Sequence, residues 1–256
     1  MNYNGKKNKI ALFIDADNAP ASKIDEILST LASKGLVTIR KAYGNWVKPE
    51  LRSWTDCLHE HAIQPVQQFD ITKNKNAADI ALVIDCMDIL HTKDVDIICL
   101  VSSDCDFTPL ATRCIADGKI VIGFGERKTP EPFENSCSTF LFLDEITKED
   151  VIKSDTSRKP SIENETTPLS RNRFNGDTRL IKLLRQGISA YEEDDGWSNL
   201  ANVGLHIANI ASFDQRNYGF RKLGDLFGQI DLFECEVRNC GTWVRNKATA
   251  KVAKAA

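Results

Sequence analysis

The 256-residue sequence predicts an α/β fold: a three-layer α/β/α domain with a parallel sheet, followed by a small winged-helix domain. Three observations predict it. Apolar runs of strand length alternate with helical patterns from residue 9 to residue 146, as buried parallel strands with crossover helices require. The composition then turns polar and aperiodic over residues 147–176. Order resumes at residue 177 with three helical patterns and two short strand-like runs, the signature of a winged helix-turn-helix.

Each element has its own signal. KIALFIDADN (9–18) is a strand running into a turn, and SKIDEILSTLASKG (22–35) is a helix closed by Gly35. LVTIRKAYG (36–44) is a strand, PELRSWTDCLHEH (49–61) a helix with proline at its start, and IQPVQQFD (63–70) a strand. NAADIALVIDCMDILHT (76–92) is a long helix whose expected apolar face is Ile80, Val83, Ile84, Met87 and Leu90. VDIICLVSS (95–103) is a buried strand, FTPLATRCIADG (107–118) a helix ended by Gly118, and KIVIGFG (119–125) a strand. A short helix near EPFENS and the strand TFLFLDE (139–145) complete the series. The stretch 147–176, rich in Lys, Ser, Thr, Asn, Glu and Pro, reads as a flexible linker. Within 177–247, TRLIKLLRQGISAYEE is an amphipathic helix and SNLANVGLHIANI a second, with Ser198 as its expected N-cap. NYGFRKLGDLFGQI is the third helix, LFECEVRN and TWVRN are the strands of the wing, and 248–256 is a tail.

Composition excludes several classes. No apolar run reaches the length of a membrane-spanning helix, and no apolar stretch follows the N-terminal MNYNGKKNK as a secretory signal requires. The eight cysteines are dispersed without a C-x-x-C, which points to reduced thiols in the cytoplasm rather than to disulfides or zinc. Charge divides unevenly. The net charge is −3, yet residues 170–256 hold 13 basic and 10 acidic residues, so the preceding part carries −6 and the C-terminal part +3.

The chemistry concentrates where strands end. In an open parallel sheet, sites form beyond the carboxyl ends of the strands. ALFI runs into Asp15-Ala16-Asp17-Asn18, and IICLV into Ser102-Ser103-Asp104-Cys105-Asp106. If the first and fourth strands are neighbours, Asp15, Asp17, Asp104 and Asp106 converge. Asp79, in the first turn of the long helix, faces the same crevice. A single aspartate at a strand end is commonly a helix cap. Three acidic groups at equivalent ends instead crowd like charges, a conflict that Mg²⁺ or Mn²⁺ relieves and that phosphodiester hydrolysis exploits. Lys73 and Lys75, just ahead of Asp79, are placed to hold phosphates. In the C-terminal part, Arg216, Tyr218, Arg221 and Lys222 surround the start of the third helix, where helix-turn-helix proteins meet nucleic acid.

FIDADN, KNKNAADIAL and VSSDCDFTPLA together resemble the signature segments of the NYN domain, a PIN-like nuclease superfamily, in its LabA-like and limkain-like branch. The resemblance spans residues 9 to 146. It implies a metal-dependent endoribonuclease with Asp15, Asp79, Asp104 and Asp106 as metal-binding, catalytic acids. It further implies that Asn18, of an Asp-x-x-Asn pattern, positions substrate, with Ser102 or Ser103 assisting through the loop. The segment DDGWSNLANVGLHIANIASFDQRNYGFRKLGDLF resembles a LOTUS (OST-HTH) domain of the bacterial type, which implies binding of RNA, structured or G-rich, or of a protein partner. Two other functions compete. One is a non-catalytic RNA-binding adaptor with a structural metal. The other is a haloacid-dehalogenase-like phosphatase, since Asp15-Ala16-Asp17 has that family's acid spacing; against it, Asn18-Ala19 replaces the usual Gly-Thr-type continuation and no cap insertion follows.

Overall fold

The computed structural model describes residues 7–69, 76–144, 174, 177–238 and 241–247. The chain forms two compact units, one within residues 1–155 and one within 156–256. The expected linker 147–176, apart from Phe174, and the expected tail 248–256 lie outside the described residues.

The first unit is a three-layer α/β/α sandwich. Its strands are β1 (Lys9–Asp15), β2 (Leu36–Gly44), β3 (Gln64–Gln67), β4 (Ile97–Val101), β5 (Ile120–Gly125) and β6 (Thr139–Phe142). All pair in parallel, in the order β3-β2-β1-β4-β5-β6. Helices α1 (Ile24–Ala32), α2 (Arg52–Glu60), α3 (Ala77–Thr92), α4 (Thr108–Ala116) and α5 (Glu131–Ser136) make the crossovers. Alternate residues of β1 serve opposite layers. Ile10, Leu12 and Ile14 join Ile27, Leu31, Trp54 and Leu58 of α1 and α2. Ala11 and Phe13 join Leu82, Cys86, Leu110 and Phe133 of α3, α4 and α5. The strand is apolar throughout because both of its faces are covered.

The chain order reverses between β1 and β4, where Ile14 lies opposite Val101. The two acidic strand ends therefore emerge side by side, at the topological switch point. On the other side of β4, Gly125 lets the end of β5 approach the Ser102 loop: a Cβ there would stand 2.8 Å from the carbonyl oxygen of Ser102.

The long helix presents a different face from the one expected. Leu82, Cys86, Ile89 and Leu90 enter the core, Val83 and Met87 are only partly covered, and Ile80 and Ile84 are 60% and 57% exposed. The helix is apolar nearly all round, so periodicity alone does not select the buried stripe. A polar tether contributes: Asp85 accepts from Lys41 Nζ at 2.7 Å and from Tyr43 Oη at 2.8 Å, holding α3 on β2.

The second unit contains α6 (Thr178–Ser189), β7 (Ser198–Asn199), α7 (Leu200–Ile210), α8 (Leu223–Gln229), β8 (Phe233–Arg238) and β9 (Gly241–Asn246). The three strands form an antiparallel sheet ordered β7-β9-β8. Ser198 is not the cap of α7. It lies in β7, fully buried, with Oγ donating to the Ile188 carbonyl at 2.8 Å. Asn199 caps instead, accepting from the Ala201 amide at 3.0 Å. The third helix is also shorter than the pattern implied. Gln215–Tyr218 forms a separate 3₁₀ turn, ended by Gly219 at φ 80°, and α8 begins only at Leu223. Phe174 packs in this core with Leu184, Val203 and Phe227.

Candidate active site

Asp15 ends β1 and is 1% exposed. Its Oδ2 accepts two hydrogen bonds, from Ser102 Oγ at 2.7 Å and from Asn18 Nδ2 at 2.9 Å. Its Oδ1 is buried and has no hydrogen-bond partner among the described residues. Burial pushes this carboxyl above the usual carboxylate range, against the opposing pull of Ser102 and Asn18.

Ser102 joins the two strand ends. Its amide donates to the Phe124 carbonyl, which ties the loop to β5. Its hydroxyl donates to Asp15 and accepts from the Asp104 amide at 3.0 Å. Asp104 Oδ1 in turn accepts from the Asp106 amide at 2.9 Å, capping the turn Cys105–Phe107. Asp106 Oδ2 accepts from Asn76 Nδ2 at 3.2 Å. Asn76 stands immediately before α3, yet its side chain makes no capping bond there. An unbroken chain of hydrogen bonds thus runs from Asn18 through Asp15, Ser102, Asp104 and Asp106 to the start of α3.

Asp79 occupies the first turn of α3. Burial comes first in raising its pKa to about 6, followed by repulsion from Asp15, Asp104, Asp17 and Asp106. That repulsion shows the three acidic segments to be electrostatic neighbours. Among the described residues, Asp104, Cys105 and Asp106 form the group whose ligand atoms all lie within 4.8 Å of one another, a grouping able to hold a metal ion, and the predicted ligands Asp15 and Asp79 are not part of it. The donors at the centre are mainly carboxylate oxygens, which suit a hard divalent cation. Asp15 Oδ1 stands outside that group as a buried oxygen with no hydrogen-bond partner among the described residues. Helix capping accounts for one oxygen of Asp104 and leaves both that orphan and the crowding at Asp79 unexplained.

Ser103 serves a different loop from Ser102: its Oγ accepts from the Glu126 amide at 2.9 Å. Lys73 and Lys75 lie outside the described residues. The structure adds two side chains to the neighbourhood, Asn76 and Lys48, whose Nζ lies 3.2 Å from Asp17. The signal for Lys48 was its place just beyond a strand end. Asn76 adjoined the Asp79 motif at the cap position of a helix.

In the second unit, Arg216 forms a two-pronged pair with Asp214, at 3.0 and 2.9 Å. Tyr218 is partly buried and packs against Phe174 and Phe213 at the edge of the core. Arg221 and Lys222 are exposed ahead of α8.

The model of the NYN domain matches residues 9–144, just over half of the chain. The chain belongs to the NYN domain family. The OST-HTH/LOTUS domain model matches residues 175–245, so an OST-HTH domain follows the NYN domain. No curated protein matches the chain. Among solved structures, a protein of unknown function from Vibrio parahaemolyticus is 24% identical. That match covers 55% of this chain and 95% of its own, with a TM-score of 0.46. An uncharacterized protein from Nitrosomonas europaea is 25% identical over 38% of this chain and 92% of its own, with a TM-score of 0.25. No helix among the described residues is long and apolar enough to cross a membrane.

Proposed function

We propose that the chain is a Mg²⁺- or Mn²⁺-dependent endoribonuclease whose OST-HTH domain holds the RNA. The observation that carries this is the buried, half-satisfied Asp15, joined through Ser102 to the Asp104 loop and crowded by Asp79. A structural role would leave neither an orphaned carboxylate oxygen nor an acid held near neutrality.

Asp15, Asp79, Asp104 and Asp106 would hold the metal. When bound, it would neutralise phosphate charge and lower the pKa of a water molecule for attack on phosphorus. The other groups position. Ser102 and Asn18 both engage Oδ2 of Asp15, which fixes the carboxyl and leaves Oδ1 without a hydrogen bond among the described residues. Asn76 restrains Asp106, and Ser103 fixes the loop after β5. Lys73 and Lys75 are assigned to phosphates, and Lys48 offsets the charge of Asp17. In the OST-HTH domain, the exposed Arg221 and Lys222 are assigned to RNA, with Arg216 and Tyr218 beside them.

Cleavage of a panel of linear and circular RNAs, with Mn²⁺ and with EDTA, tests this reading. Metal-dependent cutting of circular RNA that disappears in Asp15→Asn is expected. Tight RNA binding without cutting under any metal condition would instead identify a non-catalytic adaptor.

A further inference from the structure

The OST-HTH domain carries a second basic surface, away from the sequence around Arg221 and Lys222. Helix α6 buries Leu180, Leu184 and Ile188. From Thr178 to Ser189 it contains three cations, Arg179, Lys182 and Arg185, and no acid. Lys182 and Arg185 flank a groove of about 560 Å³ whose floor includes Ile181 and Leu232, with Gln186 on its wall. The Lys247 amide donates to the Leu232 carbonyl at 2.9 Å, so the chain leaving β9 brings an exposed lysine beside the same groove.

Pairing distinguishes these cations from others in the domain. Arg216 binds Asp214, Arg238 binds Asp195, and Arg245 binds Glu234. Among the described residues, none of Lys182, Arg185 and Lys247 lies within ion-pair distance of a carboxylate. Helix α8, where a helix-turn-helix would meet nucleic acid, has Asp225 in its first turn and no cation between Leu223 and Gln229. Charge complementarity for a polyanion is therefore better at α6 than on α8 itself.

We infer that the groove between α6 and Leu232 binds single-stranded RNA, with Lys182, Arg185 and Lys247 on its phosphates. The inference rests on the RNA-binding reading above. Residues 182 and 185 are one helical turn apart, so their long side chains can spread over successive phosphates. Ile181 and Leu232 offer an apolar floor to a base face, and the Gln186 amide can meet a base edge. Among the described residues, no aromatic ring lines the groove. Affinity should therefore come mainly from phosphate contacts, with steep salt dependence and little preference among sequences.

The test is RNA affinity of the full chain in EDTA, which prevents cleavage, with labelled 12-nucleotide U-rich and mixed-sequence strands at several salt concentrations. The variants are Lys182→Glu/Arg185→Glu, the milder Lys182→Gln/Arg185→Gln, and Arg221→Glu/Lys222→Glu, each checked for unchanged melting. Both groove variants should lose affinity, the Glu pair by about tenfold or more, and the salt slope should fall by about 1.4 for two lost contacts. Unchanged affinity in the groove variants, with the wild type binding, overturns the groove. If the Arg221/Lys222 variant alone loses affinity, RNA binding stands and belongs to the third helix. A wild-type chain that binds neither strand defeats the RNA reading itself.

Discussion

Replacing Asp79 by Asn should stabilise the metal-free protein at pH 8 and do so by about half as much or less at pH 5. Asp79 is half-buried, and its pKa rises from 3.8 to about 6 on folding. The folded state thus favours the protonated acid. That stability is fully present below about pH 3.8 and lost as pH rises through about 6. Two pKa units correspond to about 3 kcal/mol as an upper bound. Solvent screening at a half-buried site reduces this to about 1–2 kcal/mol. Asparagine forgoes the attraction of a carboxylate to the helix N-terminus, about 0.3–1 kcal/mol. Repulsion and burial outweigh that attraction, leaving a net gain of about 1 kcal/mol at pH 8, or roughly 2–4 °C in the melting of the NYN domain. Calorimetry of both proteins in EDTA at the two pH values measures it. A variant less stable by about 1 kcal/mol at both pH values would show that Asp79 is a helix-capping residue and that the acids do not crowd.

The remaining predictions probe neighbouring parts. Saturating Mn²⁺ should raise the melting temperature of the NYN domain, by the equivalent of about 2.7 kcal/mol at a hundred times the dissociation constant. Asp104→Asn should keep the fold, because the amide oxygen can still cap Asp106, yet lose most of that shift; calorimetric titration reads both. Ser102→Ala removes a donor to Asp15 and an acceptor for Asp104, so it should cost about 1–3 kcal/mol and slow cleavage far more than Ser103→Ala. Denaturant unfolding and RNA cleavage rates compare the two. Asn199→Ala should lower the stability of the OST-HTH domain by about 1 kcal/mol through loss of the α7 cap, seen as an earlier melting transition.

Much of this architecture was legible because the physics acts locally. Ile10 to Ile14 and Ile97 to Val101 read as strands since a centre strand covered on both faces has to be apolar throughout. The meeting of Asp15 with the Asp104 loop followed from the switch-point rule. What escaped depends on contacts distant in the chain. The buried stripe of α3 was chosen by the sheet and by the Lys41–Asp85–Tyr43 tether, which no helical period encodes. Ser198 has a good capping side chain, but β9 claims its backbone and Ile188 its hydroxyl, which moves the cap to Asn199. That Tyr218 also meets Phe174 and Phe213 depends on how the preceding chain packs around it and is not visible in its local sequence.

The same fold that assembles the acids also explains how they are tolerated. Asp15 is buried at the end of a strand whose preceding five residues, Ile10 to Ile14, are each fully buried between two helical layers. Such a strand resists displacement, so the carboxylate cannot relax into solvent without dragging the centre of the sheet with it. Ser102 closes the remaining route: one hydroxyl satisfies Asp15 and the Asp104 amide at once, so the first and fourth strand ends hold each other in register. Asp79 sits in the first turn of a 16-residue helix, where the backbone limits its retreat. Burial first, and then repulsion among carboxylates held in place, is expressed as proton uptake in place of movement, which is the raised pKa of Asp79. A cation entering the cluster therefore meets oxygens already in place and gains the free energy that their mutual repulsion had cost the fold.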